Sequence, residues 1–415
     1  MQQFQAANGA DVEGDQNNGA TAPGLAHLRD ELDRLDNSLV DLLAARQEAV
    51  KRVAAIKSRT DAPLRDVLRE GQQAARLAER ARARGLDELF VVRIFRDIID
   101  FSVRTQELHL GGLPHPGDDP TRPIAVVFQG TEGAFSHIAG RRFFGPRGAP
   151  VTYRGVDTFR QLLEEVRTGA ADYGMLPVEN TTSGSVHDAY DALSHTDLAI
   201  AGEEVLRIEM CLIGVADVPL DSLRQIYSHP QAILQCTAFL ASLPNAAVES
   251  FIDTAMSVER VKRENDPTHA AIASAEAAVL HGLHILRRDI ANHRENYTRF
   301  LVVAREAEPW DPRVPCKTSV MFATRHERGA LLACLNVLAE HGLNLTKLES
   351  RPRPGRPFEY LFYVDFEGNI GDEHVQRAMD EISNLTLSMK IFGSYPARTR
   401  KGLGPEDTEA SSRIS

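Results

Sequence analysis

Three cationic side chains lie along an apolar stripe near the start of the chain. From Leu25 to Ile56 the apolar residues alternate in steps of three and four, which is typical of a helix with one packed face. The position that follows Leu42 on this stripe is Arg46, with Arg29 upstream and Lys57 just past its end. A guanidinium on a packing face is costly unless an anion meets it. The pattern therefore predicts a buried pocket for a small molecule with several negative charges.

Other polar residues of the same segment fall on predicted helix faces. In a second helix Asp66, Arg69 and Glu70 stand at i, i+3 and i+4, so they share one face. In a third helix Ser102 and Gln106 are one turn apart on an otherwise apolar side. Buried polar groups need partners, so these residues are candidates for the same anion site. The alternative is a coiled-coil dimerisation module with ordinary interfacial charges.

Helices must position these side chains. The periodicity predicts an all-helical domain over residues 24–109, whose first helix runs to about Lys57. That helix would be ~50 Å long at the rise of an α-helix. One small domain cannot cover so long an apolar stripe, so we expect a partner subunit to cover it.

This segment resembles the all-helical chorismate mutase family, which is typically fused to prephenate dehydratase or dehydrogenase. The resemblance implies an intertwined dimer in which the residue matching Arg29 reaches the partner's site. It also implies a pericyclic rearrangement of chorismate to prephenate, which needs no nucleophile, metal or cofactor. The residues that match the family's active-site pattern are Arg29, Arg46, Lys57, Asp66, Arg69, Glu70, Ser102 and Gln106.

The resemblance also implies a role for each match. Arg29 and Arg46 would clamp the two carboxylates of chorismate with paired hydrogen bonds. Lys57 and Gln106 would donate to the ether oxygen, where charge develops, and to its neighbouring carboxylate. The residues that would orient the ring hydroxyl are Glu70 and Asp66, with Arg69 and Ser102 in support.

Composition excludes several classes of function. The chain has 415 residues and a net charge of −11, which argues against a nucleic-acid or anionic-membrane partner. Residues 1–23 are rich in Gln, Asn, Gly and Ala and predict a disordered tail, not a signal or transit peptide. No apolar run approaches the roughly 18 residues of a membrane span. The four cysteines lack CxxC spacing and indicate reduced, packed thiols. We therefore expect a cytoplasmic protein.

Two segments rich in proline or glycine divide the chain into three domains. Linkers are predicted at 110–122 and 306–315, so that a second domain spans 123–305 and a third spans 316–396, before a tail at 397–415. The second domain alternates strand and helix patterns and is predicted to be α/β. The sequence contains no repeat of the solenoid kind.

Polar segments follow three predicted strands of the second domain, each at the start of a helix. They are GTEGAFS at 130–136, ENTTSGS at 179–185, and SHPQ at 228–231 with Gln235 a turn further on. Helix N-termini bind anions, and in open α/β sheets such junctions line one crevice. Taken singly, each is better explained as an ordinary helix cap. The motifs GxGxxG and GxxxxGK(S/T) are missing, so nucleotide binding is not expected.

A fourth segment, NYTRF at 296–300, leads into a predicted strand. A threonine at a strand start indicates by itself only β-propensity. Together with GTEGAFS, PVENTTSGSV, SHPQAILQC and the stretch at 272–283, this segment makes the second domain resemble the prephenate dehydratase family throughout its length. GTEGAFS is looser than the family pattern, which often has Pro before Glu and Thr where Ala134 stands.

The resemblance implies two α/β subdomains, like those of a periplasmic binding protein, with the substrate in the cleft between them. Prephenate would lose water and carbon dioxide to give phenylpyruvate, with Thr298 as proton donor or relay to the leaving hydroxyl. A threonine hydroxyl is a poor acid, so a polarising neighbour is needed, and the sequence does not identify it. No metal-ligand cluster is recognised. The residues implied to bind and orient the substrate are Asn180, Ser228, Gln235 and Arg299.

The third domain is predicted as strand, helix, strand, strand, helix, strand, which is the ferredoxin-like order. It resembles the ACT regulatory domain of prephenate dehydratases through GALL at 329–332 and ESRP at 349–352. The resemblance implies that phenylalanine binds at a dimer interface and feeds back on the dehydratase. The alternative is a structural module whose glycines serve turns. The implied effector-binding residues are Gly329, Ala330, Leu331, Leu332, Glu349, Ser350, Arg351 and Pro352.

These resemblances predict a three-domain bifunctional enzyme of phenylalanine biosynthesis. Its expected partners are chorismate, prephenate, the effector phenylalanine and further copies of the chain in a homodimer or larger oligomer. No cofactor is expected. Three alternatives stay open: a non-catalytic amino-acid sensor, an enzyme with one inactive domain, and a preference for arogenate over prephenate.

Overall fold

A long helix, Pro23–Lys57 (α1), opens the described part of the chain. The computed structural model describes residues 23–60, 67–111, 122–147, 150–243, 245–307, 310–311, 313–353 and 355–398. Contacts divide the chain after Val53 into two units, and α1 supplies the described part of the first. The helix ends at the residue that the apolar alternation predicts.

Two further helices follow, Val67–Ala83 (α2) and Glu88–Gly111 (α3), so every described element of this segment is helical, as predicted. Gly85 lies between them with a φ of +69°, a left-handed conformation that glycine adopts without strain. Asp87 accepts a hydrogen bond from the backbone N of Phe90 at 2.6 Å and caps α3.

Six strands form the first sheet of the central region. The strands are β1 (Ile124–Gln129), β2 (Val151–Val156), β3 (Tyr173–Asn180), β4 (Gly184–Ser185), β5 (Ala199–Arg207) and β11 (Tyr297–Ala304). The order is β2-β1-β3-β11-β5, with β4 paired to β3. The helices are α4 (Phe135–Phe144), α5 (Phe159–Thr168) and α6 (His187–Ser194). Val126 and Phe128 pack on the α4 side and Val127 on the α5 and α6 side, so helices cover both faces.

Five strands form the second sheet. They are β6 (Cys211–Gly214), β7 (Gln225–Ser228), β8 (Ala247–Ser250), β9 (His269–Ala273) and β10 (His284–Arg287). The order is β10-β6-β9-β7-β8. The helices of this part are α7 (Pro230–Gln235), α8 (Thr237–Ala241), α9 (Thr254–Glu264) and α10 (Ala275–His281). The chain leaves the first sheet after β5 and returns to it with β11, which gives the two α/β subdomains that the sequence predicts.

The C-terminal region has the predicted βαββαβ order. Its elements are β12 (Cys316–Thr324), α11 (Ala330–Glu340), β13 (Leu345–Pro352), β14 (Tyr360–Glu367), α12 (Glu373–Leu385) and β15 (Thr386–Pro396). The sheet order is β13-β14-β12-β15, with β13 at an edge. One face of the sheet packs on α11 and α12 through Val364 and Phe366. The other face packs on the central region, where Tyr363 and Phe392 join a core with Tyr190.

Two neighbouring carboxylates of β5 lie fully buried and point to opposite sides of the strand. Glu204 pairs with Arg104 of α3 at 2.7 Å and with Arg142 of α4 at 3.1 Å. Glu203 pairs with Lys317 of β12 at 3.1 Å and with Arg299 of β11 at 2.6 Å. Since buried charges need partners, these pairs fix where α3 and the C-terminal sheet meet the central region.

The four cysteines, Cys211, Cys236, Cys316 and Cys334, are free and buried. Burial raises the pKa of Cys211, Cys236 and Cys316 to about 12, so these thiols stay protonated at neutral pH. Within the described ranges, none of the helices is long and apolar enough to span a membrane.

Candidate active sites

A cavity of about 510 Å³ lies between the two subdomains of the central region. The polar segments that follow β1, β3 and β7 all reach it, as the sequence predicts for the carboxyl ends of strands. The lining includes three predicted site residues, Asn180, Gln235 and Thr298. Other polar residues of the lining are Gln129, Ser136, Ser183, Ser185, His187, Asp188, His229, Gln231, Asp253 and Thr254.

Asn180 donates a hydrogen bond to the hydroxyl of Thr298. Its Nδ2 donates to Thr298 Oγ1 at 2.9 Å, and its Oδ1 accepts from the backbone N of Thr182 at 3.0 Å and of Ser183 at 2.9 Å. Backbone N–H groups only donate, so the orientation of the Asn180 amide is fixed. Because Thr298 Oγ1 accepts a hydrogen bond, its own O–H is polarised and directed towards another acceptor.

Gln235 joins the two walls of the cavity. It lies at the end of α7 in the second subdomain, and its Nε2 donates to Ser183 Oγ at 2.8 Å and to Thr182 Oγ1 at 3.1 Å. Its Oε1 accepts from Asn296 Nδ2 at 2.9 Å. Asn296 is buried and also accepts from Asn180 at 2.7 Å. Asn296 opens the NYTRF segment but was not among the predicted site residues, and it completes a closed amide network.

His229 is a second cavity residue that was not among the predicted site residues. Its Nδ1 accepts a hydrogen bond from the backbone N of Gln231 at 3.2 Å and caps α7. Burial lowers the pKa of His229, so the ring is neutral at pH 7 and carries its hydrogen on Nε2. The sequence signal was the SHPQ segment, where a histidine at a helix start is easily read as a cap alone.

The cavity offers neutral donors for anions. Helix α4 begins at its wall with Phe135 and Ser136, and no described side chain caps its N-terminus, which presents free N–H groups and a positive dipole. The N-terminus of α9 is capped by Asp253, whose carboxylate accepts from the backbone N of Ala255 and Met256. Among the described residues that line the cavity there is no lysine or arginine. A carboxylate bound here would therefore rest on N–H and O–H groups, not on cationic side chains.

Two predicted substrate ligands lie elsewhere. Ser228 is fully buried, and its hydroxyl donates to the carbonyl of Ile272 at 2.7 Å. Arg299 follows Thr298 on β11, so its side chain leaves the opposite face of the sheet. Its guanidinium donates to Glu203 at 2.6 Å and to Asp365 at 2.6 Å. Neither residue lines the cavity, which corrects the expectation that they bind the substrate there.

The Arg299 cluster is ionised despite its burial. Burial by itself lowers the pKa of Arg299, but Asp365 and Glu203 outweigh it and raise that pKa well above the usual value. Burial likewise tends to raise the pKa of Glu203, yet Arg299 and Lys317 bring it down to about 2. Arg299 therefore links β11 to the C-terminal sheet as a permanently charged group.

The predicted site residues of the helical segment lie on all three helices. Arg29 is exposed and Arg46 half-buried on α1, and burial lowers the pKa of Arg46. Lys57 is half-buried at the end of α1. Arg69 is exposed and Glu70 half-buried at the start of α2. Asp66 lies outside the described residues.

Ser102 and Gln106 are buried in α3, as predicted from their position on an apolar side. Ser102 Oγ donates to the carbonyl of Ile98 at 2.7 Å, and Gln106 Nε2 donates to the carbonyl of Ser102 at 3.3 Å. Gln106 Oε1 is buried and has no hydrogen-bond partner among the described residues. A buried acceptor without a partner is costly, so this amide retains capacity for a ligand.

The leucine stripe of α1 is uncovered in the single chain. The exposed fraction of its side chains ranges from 54 % for Leu28 to 67 % for Leu42. On α3, Leu89 is exposed by 78 % and Phe90 by 48 %. Apolar surfaces of this length mark an interaction site.

The predicted effector motifs divide over two faces of the C-terminal sheet. Gly329 precedes α11 with a φ of +77°, and Leu332 in its first turn is exposed. On β13, Ser350 and Pro352 are exposed, whereas Glu349 and Arg351 are half-buried on the side that faces the central region. The two halves of the ESRP segment therefore have different surroundings.

Comparisons with known proteins agree with this architecture. A model described as chorismate mutase type II matches residues 28–107, and one described as prephenate dehydratase matches residues 126–308. A bifunctional chorismate mutase/prephenate dehydratase from Enterobacter agglomerans is 38% identical over 374 residues, covering 90% of this chain and 96% of that protein. Arogenate dehydratase 5, chloroplastic, from Arabidopsis thaliana is 37% identical over 303 residues, covering 68% of this chain and 69% of that protein. The solved structure of a prephenate dehydratase in complex with L-Phe from Arthrobacter aurescens is 28% identical with a TM-score of 0.61, covering 70% of this chain and 97% of that one.

Proposed function

Because the chain belongs to the bifunctional chorismate mutase/prephenate dehydratase family, we propose that its two activities use separate sites built from the residues described above. The enzyme converts chorismate to prephenate and prephenate to phenylpyruvate, two steps of phenylalanine biosynthesis. The proposed domain bounds are 24–109 for the mutase, 123–305 for the dehydratase and 316–396 for the regulatory domain. We place the enzyme in the cytoplasm.

The dehydratase proposal rests above all on the Asn180–Thr298 hydrogen bond in the cavity between the subdomains. Thr298 O–H would donate to the C4 hydroxyl of prephenate as that group leaves as water. The C–C bond to the C1 carboxylate breaks in the same process, and its electron pair completes the aromatic ring as carbon dioxide departs. Asn180 would stabilise negative charge that develops on Thr298 Oγ1, and this makes a weak acid adequate.

The carboxylates of prephenate would be held by neutral groups. The uncapped N-terminus of α4, the Nε2–H of His229 and the amide network of Gln235 all point at the cavity or line it. These donors reorganise little on binding, because each is already fixed by the fold or by hydrogen bonds. Such preorganisation is what positions a substrate for an intramolecular elimination.

The mutase proposal follows the resemblance of the helical segment. Arg29 and Arg46 would hold the carboxylates, and Lys57 and Gln106 would donate to the ether oxygen and its neighbouring carboxylate. The buried Gln106 amide supports this assignment, since its Oε1 has no partner among the described residues. The residues proposed to orient the ring hydroxyl are Asp66 and Glu70, with Arg69 and Ser102 in support.

We further propose that the active mutase is a homodimer or a larger assembly of this chain. The exposed leucine stripe of α1 supports this, because a second copy of the same helix is a complementary apolar surface. In that assembly the residue Arg29 would enter the partner's mutase site, as the resemblance implies.

The C-terminal domain is proposed to be an ACT domain that binds phenylalanine and inhibits the dehydratase. Its βαββαβ order, the left-handed Gly329 before α11, the exposed Leu332 of α11 and the exposed Ser350 on the helix side of β13 support this. The similar Arthrobacter aurescens protein is in complex with L-Phe. The likeness to a chloroplastic arogenate dehydratase keeps arogenate as a second candidate substrate of the same cavity.

One assay tests these proposals together. Purified protein is given chorismate without cofactor, with and without phenylalanine, and prephenate and phenylpyruvate are separated by chromatography. We expect phenylpyruvate, and less of it when phenylalanine is present. Phenylpyruvate formation that is unchanged by phenylalanine would refute the effector proposal. Prephenate that accumulates while added arogenate is consumed would move the second activity to arogenate.

A further inference from the structure

Three side chains of the edge strand β13 point at the dehydratase domain. Lys347, Glu349 and Arg351 stand at i, i+2 and i+4, the spacing of one face of a strand. All three are half-buried, whereas the alternating Leu348 and Ser350 are exposed. In the register of the sheet Glu349 lies beside Tyr363, whose ring packs against Tyr190 of α6. This face of β13 therefore lies against the dehydratase.

Each of the three side chains contacts the segment 184–191 or its flank. Glu349 Oε2 accepts from Ser185 Oγ at 2.7 Å, and its Oε1 lies 3.6 Å from His187 Nδ1. Lys347 Nζ donates to Ser185 Oγ at 3.3 Å and pairs with Glu179 at 3.1 Å. Arg351 donates to both carboxylate oxygens of Asp191, at 3.0 and 2.7 Å. We name Lys347, Glu349 and Arg351 the latch.

The segment that the latch holds is one wall of the dehydratase cavity. Ser185 and His187 line the cavity directly. Asp191 lies one turn further along α6 and is not among the lining residues. The carbonyl of Tyr190 accepts from Tyr363 OH at 2.7 Å, so the start of α6 rests on the C-terminal sheet. The Ser185 hydroxyl makes hydrogen bonds with Lys347 and Glu349, and no other side-chain hydrogen bond of Ser185 is found among the described residues.

We propose that the latch is a set of positioning residues for the dehydratase reaction. By fixing Ser185 and His187 at the cavity wall, the C-terminal domain sets how tightly the cleft binds prephenate. The two contacts of Ser185 are charge-assisted and partly buried, the class of hydrogen bond with the largest effect when removed. The Arg351–Asp191 pair is exposed. Because the latch touches neither Thr298 nor Asn180, its loss changes substrate binding more than the chemical step.

The latch also gives phenylalanine a route to the cleft, and this part of the inference rests on the proposed effector function. Ser350 and Glu349 are neighbours on β13 but face opposite sides, the first towards the exposed helix side and the second towards the dehydratase. A ligand that shifts or clamps β13 from the helix side must move Glu349 and Arg351 with it. The segment 184–191 follows, since three side chains tie it to the strand.

The first test uses Glu349→Ala and Glu349→Gln in the full-length enzyme. Glu349→Ala removes the acceptor of Ser185, and we expect the KM for prephenate to rise about tenfold with kcat changed about twofold or less. Glu349→Gln keeps an oxygen acceptor and should restore most of the affinity. The matched control is Glu359→Ala, whose partner Arg353 lies at 2.9 Å within the same domain. It should leave the KM unchanged.

The mutase activity of each sample is the internal check on folding. A KM for prephenate within about twofold of wild type in Glu349→Ala would overturn the positioning role. An equal loss of mutase and dehydratase activity would overturn it too, because that pattern reports general instability. A raised KM with intact mutase activity and rescue by Glu349→Gln is the expected result.

Asp191→Asn tests the regulatory part separately. Asp191 belongs neither to the cavity lining nor to the proposed effector motifs, so the variant should bind phenylalanine like wild type by calorimetry. We expect its half-inhibiting phenylalanine concentration to rise about fivefold, because the Arg351 contact is weakened. Unchanged inhibition would overturn the route through the latch. If wild type itself neither binds nor responds to phenylalanine, the effector proposal fails, while the KM test of Glu349 still decides the positioning role.

Discussion

The two sites of this enzyme present different chemistry to carboxylate substrates. The mutase segment carries three cationic candidates, Arg29, Arg46 and Lys57. The described lining of the dehydratase cavity has no lysine or arginine and offers the N-terminus of α4, amides, hydroxyls and a neutral histidine. Both substrates are dianions, so charge on the ligand alone does not explain the difference.

The two reactions explain why the two sites differ in charge. In the mutase step both carboxylates are retained, so cations that pair with them stabilise ground state and transition state alike and hold the reactive conformer. In the dehydratase step one carboxylate leaves as neutral carbon dioxide. A strong ion pair to that group would stabilise the substrate more than the transition state and would slow the reaction. Neutral donors orient a departing carboxylate without that penalty.

The largest expected effect comes from Arg46→Ala. Removing a half-buried cation that meets a carboxylate should lower mutase kcat/KM by a thousandfold or more, roughly. Dehydratase activity with prephenate should stay at the wild-type level. Arg34→Ala, a change of an exposed arginine on the same helix, is the control and should affect neither. Loss of both activities in a folded Arg46→Ala enzyme would contradict separate sites.

Thr298→Ala should give the opposite pattern. Without the hydroxyl the leaving group has no proton donor, and we expect dehydratase kcat to fall about a thousandfold, within the usual range for general acid catalysis. Mutase activity should be unchanged. Thr298→Ser keeps the hydroxyl and is expected to retain most activity. An active Thr298→Ala enzyme would show that another group supplies the proton.

Asn180→Asp tests why a threonine suffices. The new carboxylate has no N–H to donate, so it would accept from Thr298 and withdraw the hydroxyl hydrogen from the substrate. We expect dehydratase kcat to fall about a hundredfold, with mutase activity in the same sample as the folding check. A fall of less than about threefold would mean that Asn180 does not polarise Thr298.

The position of the cavity was easier to predict from the sequence than the position of each substrate-binding residue. Asn180 and Gln235 lie at or just after the carboxyl ends of β3 and β7, and that rule is readable from the order of elements. Thr298 joins them because β11 runs antiparallel to β3 and begins where β3 ends. The position of Arg299 was not readable. Its partners Glu203 and Asp365 are 96 and 66 residues away in the chain, and β11 shifts register between Arg299 and Phe300.

The same limit applies to the third domain. The βαββαβ order follows from local patterns, and alternation along β13 separates Glu349 and Arg351 from Ser350 and Pro352. Alternation does not say which face another domain covers, because that depends on contacts such as Arg351 with Asp191, 160 residues apart. His229 was missed for a related reason, since one ring nitrogen serves as a helix cap and conceals the role of the other.

His229→Asn tests the neutral donor. Asparagine caps a helix as well as histidine does but does not reach into the cavity, so dehydratase kcat/KM should fall about tenfold.

Burial lowers the pKa of His229, partly opposed by Asp253. The neutral ring therefore contributes to stability above the unfolded pKa of about 6.5, and this contribution is lost as the pH falls towards the folded pKa. The loss of stability that His229 causes at acid pH should lie below about pH 6.5 in the wild type and be missing in His229→Asn.

The smallest effect sharpens the comparison most directly. Salt screens interactions between partly exposed charges, with a Debye length of about 10 Å at 0.1 M, but it acts weakly on hydrogen bonds from neutral groups. Raising sodium chloride from about 0.05 to 0.5 M should therefore increase the KM for chorismate about threefold. The factor by which the KM for prephenate increases should be less than about half of that. Steady-state kinetics of both reactions on one preparation provide the measurement. Equal increases would mean that a cationic side chain reaches prephenate in the cleft, and the proposed division between the two sites would then be wrong.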